Sequence, residues 1–222
     1  MTPGQALLLE RALTLVLLLL GSASISAWVF KEIRGCGFLI GTFIASILGI
    51  FLMYGAATTG NIALITLASV FFGGSVGATL GSFAIAVGES KGLNTTKIVQ
   101  AVAITIGTVF LATLLAGMIG LFSGVNFQGL GSILFMGLFV LIGISLLGIV
   151  VKNSLWMEMA LGIGASIFWV IYLIYDFNKI VTRFVETNGE WTHAVEVAMG
   201  IFLDMINLFI RLLPIIMEIM AD

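Results

Sequence analysis

Apolar residues run through this chain in stretches of about twenty, broken by short polar separators. A helix that crosses a ~30 Å hydrocarbon layer needs about 20 mostly apolar residues. With that window the chain divides into seven predicted spans, at residues 9–30, 36–58, 61–87, 98–122, 130–151, 155–183 and 193–214. The separators are Lys31–Gly35, Thr58–Asn61, Gly88–Thr96, Ser123–Gln128, Lys152–Ser154 and Glu186–Trp191. None is long enough to form a soluble domain, so residues 1–222 read as a single membrane domain. Strands do not fit. An open sheet edge cannot face lipid, and these runs are longer and less interrupted than barrel strands. The expected fold class is all-α, a polytopic membrane protein.

Composition agrees with the pattern. The 222 residues are 60% hydrophobic and 9% charged, against about 25% charged in an ordinary soluble globule. So little charge cannot cover a water-facing surface. The net charge of −2 gives no reason to expect nucleic acid as a partner. The lone Cys36 excludes an internal disulfide, and the lone His193 makes a histidine-built metal site improbable. Ala12–Leu20 with the small residues after it resembles a secretory leader. The apolar run continues through Trp28–Phe30, however, and no basic stretch precedes Glu10, so it is read as the first membrane helix.

Gly73, Gly77 and Gly81 recur every four residues and share one stripe of the third span. Small residues on a stripe let helix backbones approach closely, so packing is the expected role rather than pore lining. Orientation is weakly marked. If the first span starts on one side, Arg11, Lys179 and Arg183 fall there, and Lys31, Arg34, Lys91, Lys97 and Lys152 fall opposite. The excess of bases on the second side would put the N-terminus outside.

Ionisable residues deep in a bilayer are costly and turn toward the bundle interior. Two acids qualify, Asp176 in the sixth span and Asp204 in the seventh. These spans form an antiparallel hairpin whose turn is centred near Asn188–Glu190. Both acids are equally far from residue 190, and so lie at one depth, on the order of 15 Å from the turn-side surface. Their faces also agree. Trp169, Tyr172, Asp176, Lys179 and Arg183 form one stripe, and Glu196, Gly200, Asp204, Asn207 and Arg211 form another. Neither stripe can face hydrocarbon, so the two should meet. Two carboxyl groups in a dry site cannot both ionise cheaply and tend to share one proton, which makes the pair a candidate pH-dependent latch. The plainer reading is that each acid only satisfies a nearby hydroxyl or backbone group. Among the other charges, Glu10 and Arg11 read as interfacial at a helix start. Glu158, Glu186, Glu190 and His193 read as solvated. Glu196 is placed at a pore mouth or a wetted helix end, and Arg211 near lipid phosphate or a carboxylate, snorkelling to the surface.

The segments Tyr175-Asp176-Phe-Asn-Lys-Ile and Phe202-Leu-Asp204-Met-Ile-Asn207-Leu-Phe resemble the Tyr-Asp-x-x-x-Ile/Leu and Tyr-Leu-Asp-Phe-Ile-Asn-Leu-Phe patterns of the transmembrane Bax-inhibitor-motif family, known for Bax inhibitor-1. Gly129–Tyr175 is similar to bacterial members in its arrangement. The resemblance implies seven helices with the seventh central and a pH-sensitive calcium leak. It makes Asp176 and Asp204 the pH-sensing dyad and transient calcium ligands, with Glu196, Asn207, Tyr172, Tyr175 and Arg211 as pore or supporting residues. It implies a cytoplasmic N-terminus, which is preferred here over the charge count, and a bacterial-type member in the cytoplasmic membrane. Some bacterial members carry an arginine after the second helix that latches onto the dyad. Tyr54–Asn61 stands there in this chain with no base, which puts that latched state in doubt.

Calcium takes about 6–8 oxygen ligands, and two aspartates supply at most four, so the pair suits passage rather than storage. No cofactor is expected, and the permeant partners would be calcium ions and protons. Two other classes compete. An intramembrane aspartyl protease would also place two acids on consecutive helices, but it carries Gly-x-Gly-Asp where this chain has Phe202-Leu203-Asp204, and no Pro-Ala-Leu follows. A non-enzymatic role is therefore expected. A proton-coupled transporter would use the acids as a relay, yet such proteins often break helices at mid-membrane. Pro214 is the one candidate breaker, read as lying at the end of its helix.

Overall fold

The computed structural model describes residues 1–33, 35–150, 155–182 and 190–221. Among them the chain forms seven α-helices and one 3-10 turn, and no strand. The helices are α1 (Pro3–Phe30), α2 (Cys36–Thr59), α3 (Ile62–Ser90), α4 (Thr95–Phe122), α5 (Gly131–Val150), α6 (Leu155–Thr182) and α7 (Trp191–Ala221); the 3-10 turn is Gln128–Leu130. Six of the helices are long and apolar enough to cross a membrane over their described residues. α5, at 20 residues, has the length that a ~30 Å layer requires. This is an integral membrane protein.

The polar separators start the helices. Thr2 accepts from the Gln5 amide, and the Gln5 side chain accepts from the Thr2 amide at 2.7 Å, closing a capping box on α1. The Asn61 side chain accepts from the amides of Ala63 and Leu64, and that of Asn94 from the amide of Lys97. Gly60, at φ +65°, closes α2 in the left-handed region and lets Asn61 begin α3 at once.

The lipid-facing surface is apolar, with residues such as Leu17, Phe43, Phe51 and Phe110 exposed. Buried hydroxyls are satisfied within their own helices. Ser69, Thr105 and Thr113 each donate to the carbonyl one turn earlier, so none needs water in the bilayer interior. α7 is central: α1, α2, α3, α4 and α6 all pack on it, and α5 joins through α6. Ala194, Val195, Val197, Ala198, Ile201 and Phe202 are completely buried along its first half.

The glycine stripe of α3 lies against α1. A side chain at Gly77 would overlap the Ala23 carbonyl, and one at Gly81 would meet Ala27. Gly77→Val should therefore destabilise the bundle by roughly 1–3 kcal/mol through overpacking. Gly41→Ala, where nothing lies within 4 Å, should not. Thermal unfolding midpoints in detergent check the pair.

The largest departures from the predicted boundaries are at the start of α1 and the end of α7. α1 begins at Pro3, not near residue 9, so Glu10 and Arg11 sit about two turns inside it rather than at its start. Arg11 lies over the Trp191 ring at 4.6 Å. α7 begins at Trp191 and runs to Ala221, so Pro214 is interior to it. Proline removes one helix hydrogen bond without ending this helix, because the last turns are held from outside: Lys91 pairs with Glu218, and the Lys97 ammonium donates to the Met220 carbonyl at 2.7 Å. The predicted turn at Asn188–Glu190 lies outside the described residues except for Glu190, as do Arg34, Lys152, Arg183 and Glu186.

Candidate functional site

The facing polar stripes of α6 and α7 meet. Asp176 is 3% exposed and Asp204 4%, and the two carboxyl groups lie close enough to interact directly. Two carboxylates offer only acceptors, so a direct hydrogen bond between them would require a proton on one of them. Helix register brings them together. A Cβ at Gly200, one turn before Asp204, would fall on Asp176 Oδ2. Glycine at position 200 leaves the room into which the Asp176 carboxyl group reaches.

A base completes the site, from the α6 stripe on which the sequence reading placed Lys179 without giving it a role. Lys179, one turn after Asp176 on α6, places its ammonium 2.7 Å from Asp176 Oδ1 and 4.9 Å from the Tyr175 ring centre. Its i,i+3 spacing from Asp176 was the available signal. Tyr54, in the last turns of α2, lies within electrostatic reach of Glu196, Lys179 and Asp176.

The other predicted residues divide. Tyr172 lies within electrostatic reach of Asp204 and Asp176. Phe168, Trp169, Tyr172 and Tyr175 form a ladder of ring contacts along α6 beside the pair. Glu196 is half-buried and within electrostatic reach of Asp176 and Lys179. Asn207 donates from its Nδ2 to the Leu203 carbonyl at 2.9 Å, satisfying its own helix. Arg211 lies in a separate cavity nearer the C-terminal end of α7, together with Glu158 and Glu218, and not at the carboxyl pair. Among the described residues no group of three or more His, Cys, Asp or Glu is placed to hold a metal ion. Lys179 already occupies Asp176 Oδ1, one of the four carboxylate oxygens of the pair.

The sequence reading also passed over Asn178, inside the same motif. It is 2% exposed and holds the α4–α5 connection. Its Nδ2 donates to the carbonyls of Gly120 and Val125, both at 2.9 Å, and its Oδ1 accepts from the Phe127 amide at 2.9 Å. The neighbouring Phe177 packs on Gly117 and Gly120 of α4. The motif around Asp176 therefore does two things. Its acid and lysine face α7, while Phe177 and Asn178 fix the opposite side of α6 to α4.

Residues 6–221 match the family model described as Inhibitor of apoptosis-promoting Bax1. The chain belongs to this family. Among curated proteins it is 31% identical over 91 residues to an uncharacterized protein of Campylobacter jejuni, covering 41% of this chain and 36% of that one. It is 29% identical over 134 residues to Protein LIFEGUARD 4 of Arabidopsis thaliana, covering 60% of this chain and 52% of that one. The chain thus spans about a third and about half of the lengths of these two relatives. Membership in the Bax1-inhibitor family agrees with the resemblance carried by the Asp176 and Asp204 motifs, and it covers nearly the whole bundle rather than its last quarter.

Proposed function

We propose that this Bax1-inhibitor family member is a pH-sensitive cation leak in the bacterial cytoplasmic membrane, with calcium as the permeant ion and the Asp176–Asp204 pair as its latch. It performs no covalent chemistry in this reading. The observation that supports it is the buried, closely apposed carboxyl pair with Lys179 on one oxygen.

Charge at the site then follows pH in three steps. With both acids protonated beside Lys179 the site is positive and repels cations. With one shared proton it is neutral, and the hydrogen bond holds α6 to α7. With no proton it is negative: the carboxylates repel each other, the helices lose their link, and a cation is attracted. Flux should therefore rise with pH. In liposomes holding the purified protein, calcium uptake is expected to increase from mildly acidic to mildly alkaline buffer. Uptake absent throughout, or independent of pH, would end the proposal.

Gly200 supplies a subtler test. A methyl group there occupies the position of Asp176 Oδ2, so Gly200→Ala should push that carboxyl group off Asp204. Most of the pH dependence of uptake should be lost. Gly164→Ala, with nothing within 4 Å, should behave like wild type.

The carboxyl pair is also compatible with a proton-coupled transporter, although α7 runs on through Pro214 without the mid-membrane break such proteins often show. A leak carries calcium without a proton gradient. Uptake that required an imposed proton gradient would favour the transporter.

A further inference from the structure

A cavity of about 280 Å³ lies at the end of the bundle opposite the α6–α7 connection, lined among others by Lys91, Glu158, Ala165, Arg211, Pro214 and Glu218. Its rim carries both signs of charge, with Lys91 paired to Glu218. A balanced, charged rim suits water and passing ions better than tight storage of a cation. On α6 its lining reaches Ala165, which is buried.

The same α6–α7 seam leads from this cavity to the carboxyl pair. On α6, Ala165 is followed one turn later by Trp169, then by Leu173, then by Asp176; on α7, Arg211 is followed back by Leu208 and Asp204. The cavity and the pair are thus separated by about two turns, roughly 10 Å along α7. Trp169, Leu173 and Leu208 fill the interval, at 8%, 0% and 1% exposure.

Trp169 Nε1, within this barrier, is a buried donor without a hydrogen-bond partner among the described residues. An unpaired buried donor is costly, and water admitted between cavity and pair would satisfy it. A barrier that gains a hydrogen bond on wetting is suited to open, as a closure does and a permanent core does not.

We infer that Trp169 is the plug of the permeation path, and that the cavity is the vestibule through which water and cations reach or leave Asp204. The inference rests on the leak reading for its purpose but not for its geometry, and the two are tested separately.

In a Cys36→Ser background, Ala165→Cys should react with a membrane-impermeant thiol reagent, because the vestibule is wet. Leu173→Cys, one turn beyond the plug, should be protected while Trp169 is present and should react when Trp169→Ala is added. Trp169→Leu serves in place of Trp169→Ala if the smaller residue prevents folding. In liposomes, Trp169→Ala should raise calcium uptake in acidic buffer by about tenfold, the factor set by ~1.4 kcal/mol of barrier; Trp169→Phe, which keeps a ring, should stay near wild type. An unreactive Ala165→Cys, or Leu173→Cys labelling indifferent to residue 169, overturns the inference. If wild type passes no calcium, the leak reading fails, and the labelling pair alone decides whether Trp169 is a plug.

Discussion

Asp204→Asn is expected to leave a folded protein whose calcium flux no longer responds to pH. Asparagine has the shape of a protonated aspartate, and its amide can donate to Asp176 as the shared proton does. The link between α6 and α7 therefore survives, and Lys179 still balances Asp176. What disappears is the step to a negative site. Flux in mildly alkaline buffer should fall to the acid level, by about tenfold or more, since a loss of ~1.4 kcal/mol in cation attraction is a factor of ten. A variant that keeps the wild-type ratio of flux between the two buffers would remove Asp204 from the latch.

The largest loss of stability is expected at Asn178, not at an acid. Asn178→Leu fits the apolar surroundings in size but abandons two carbonyls and one amide. Gly120 is buried, whereas Val125 is exposed. Water can therefore replace part of what is lost, and the cost should be about 3–5 kcal/mol, not three full desolvation penalties. Asn178→Asp keeps the acceptor for the Phe127 amide and loses both donors, so it should fall between. A lowered unfolding midpoint, with faster amide exchange at residues 123–127, is the expected signature. An unchanged midpoint would mean that the α4–α5 connection carries its own weight.

The sequence made the fold legible because the bilayer imposes a simple rule: long apolar runs must be helices, and acids within them must face inward. Helix ends were less legible. Pro214 looked like a stop because the outside grip of Lys91 and Lys97 on the last turns of α7 depends on residues more than a hundred positions away. The meeting of Asp176 with Asp204 could be read, since register and face both follow from counting along an antiparallel pair. Lys179 was placed on the polar stripe of Asp176 but counted only as a base by side, and a stripe does not say which neighbour a long side chain bends toward. Its i,i+3 relation to Asp176 held the answer. Asn178 carried no periodic signal at all: the backbone groups its side chain holds lie on another helix and a loop. Arg211 lay on the correct stripe but two turns too far along, and a stripe fixes a face without fixing a depth.

The central claim is that one proton is held jointly by Asp176 and Asp204. Infrared difference spectroscopy on the reconstituted protein, stepped from mildly acidic to mildly alkaline buffer, reads that proton as a protonated-carboxyl stretch. The band should be lost on raising the pH, and both Asp176→Asn and Asp204→Asn should displace or abolish it. A band that persists unchanged in either variant would show that the carboxyl groups hold their protons separately, and the latch would not exist.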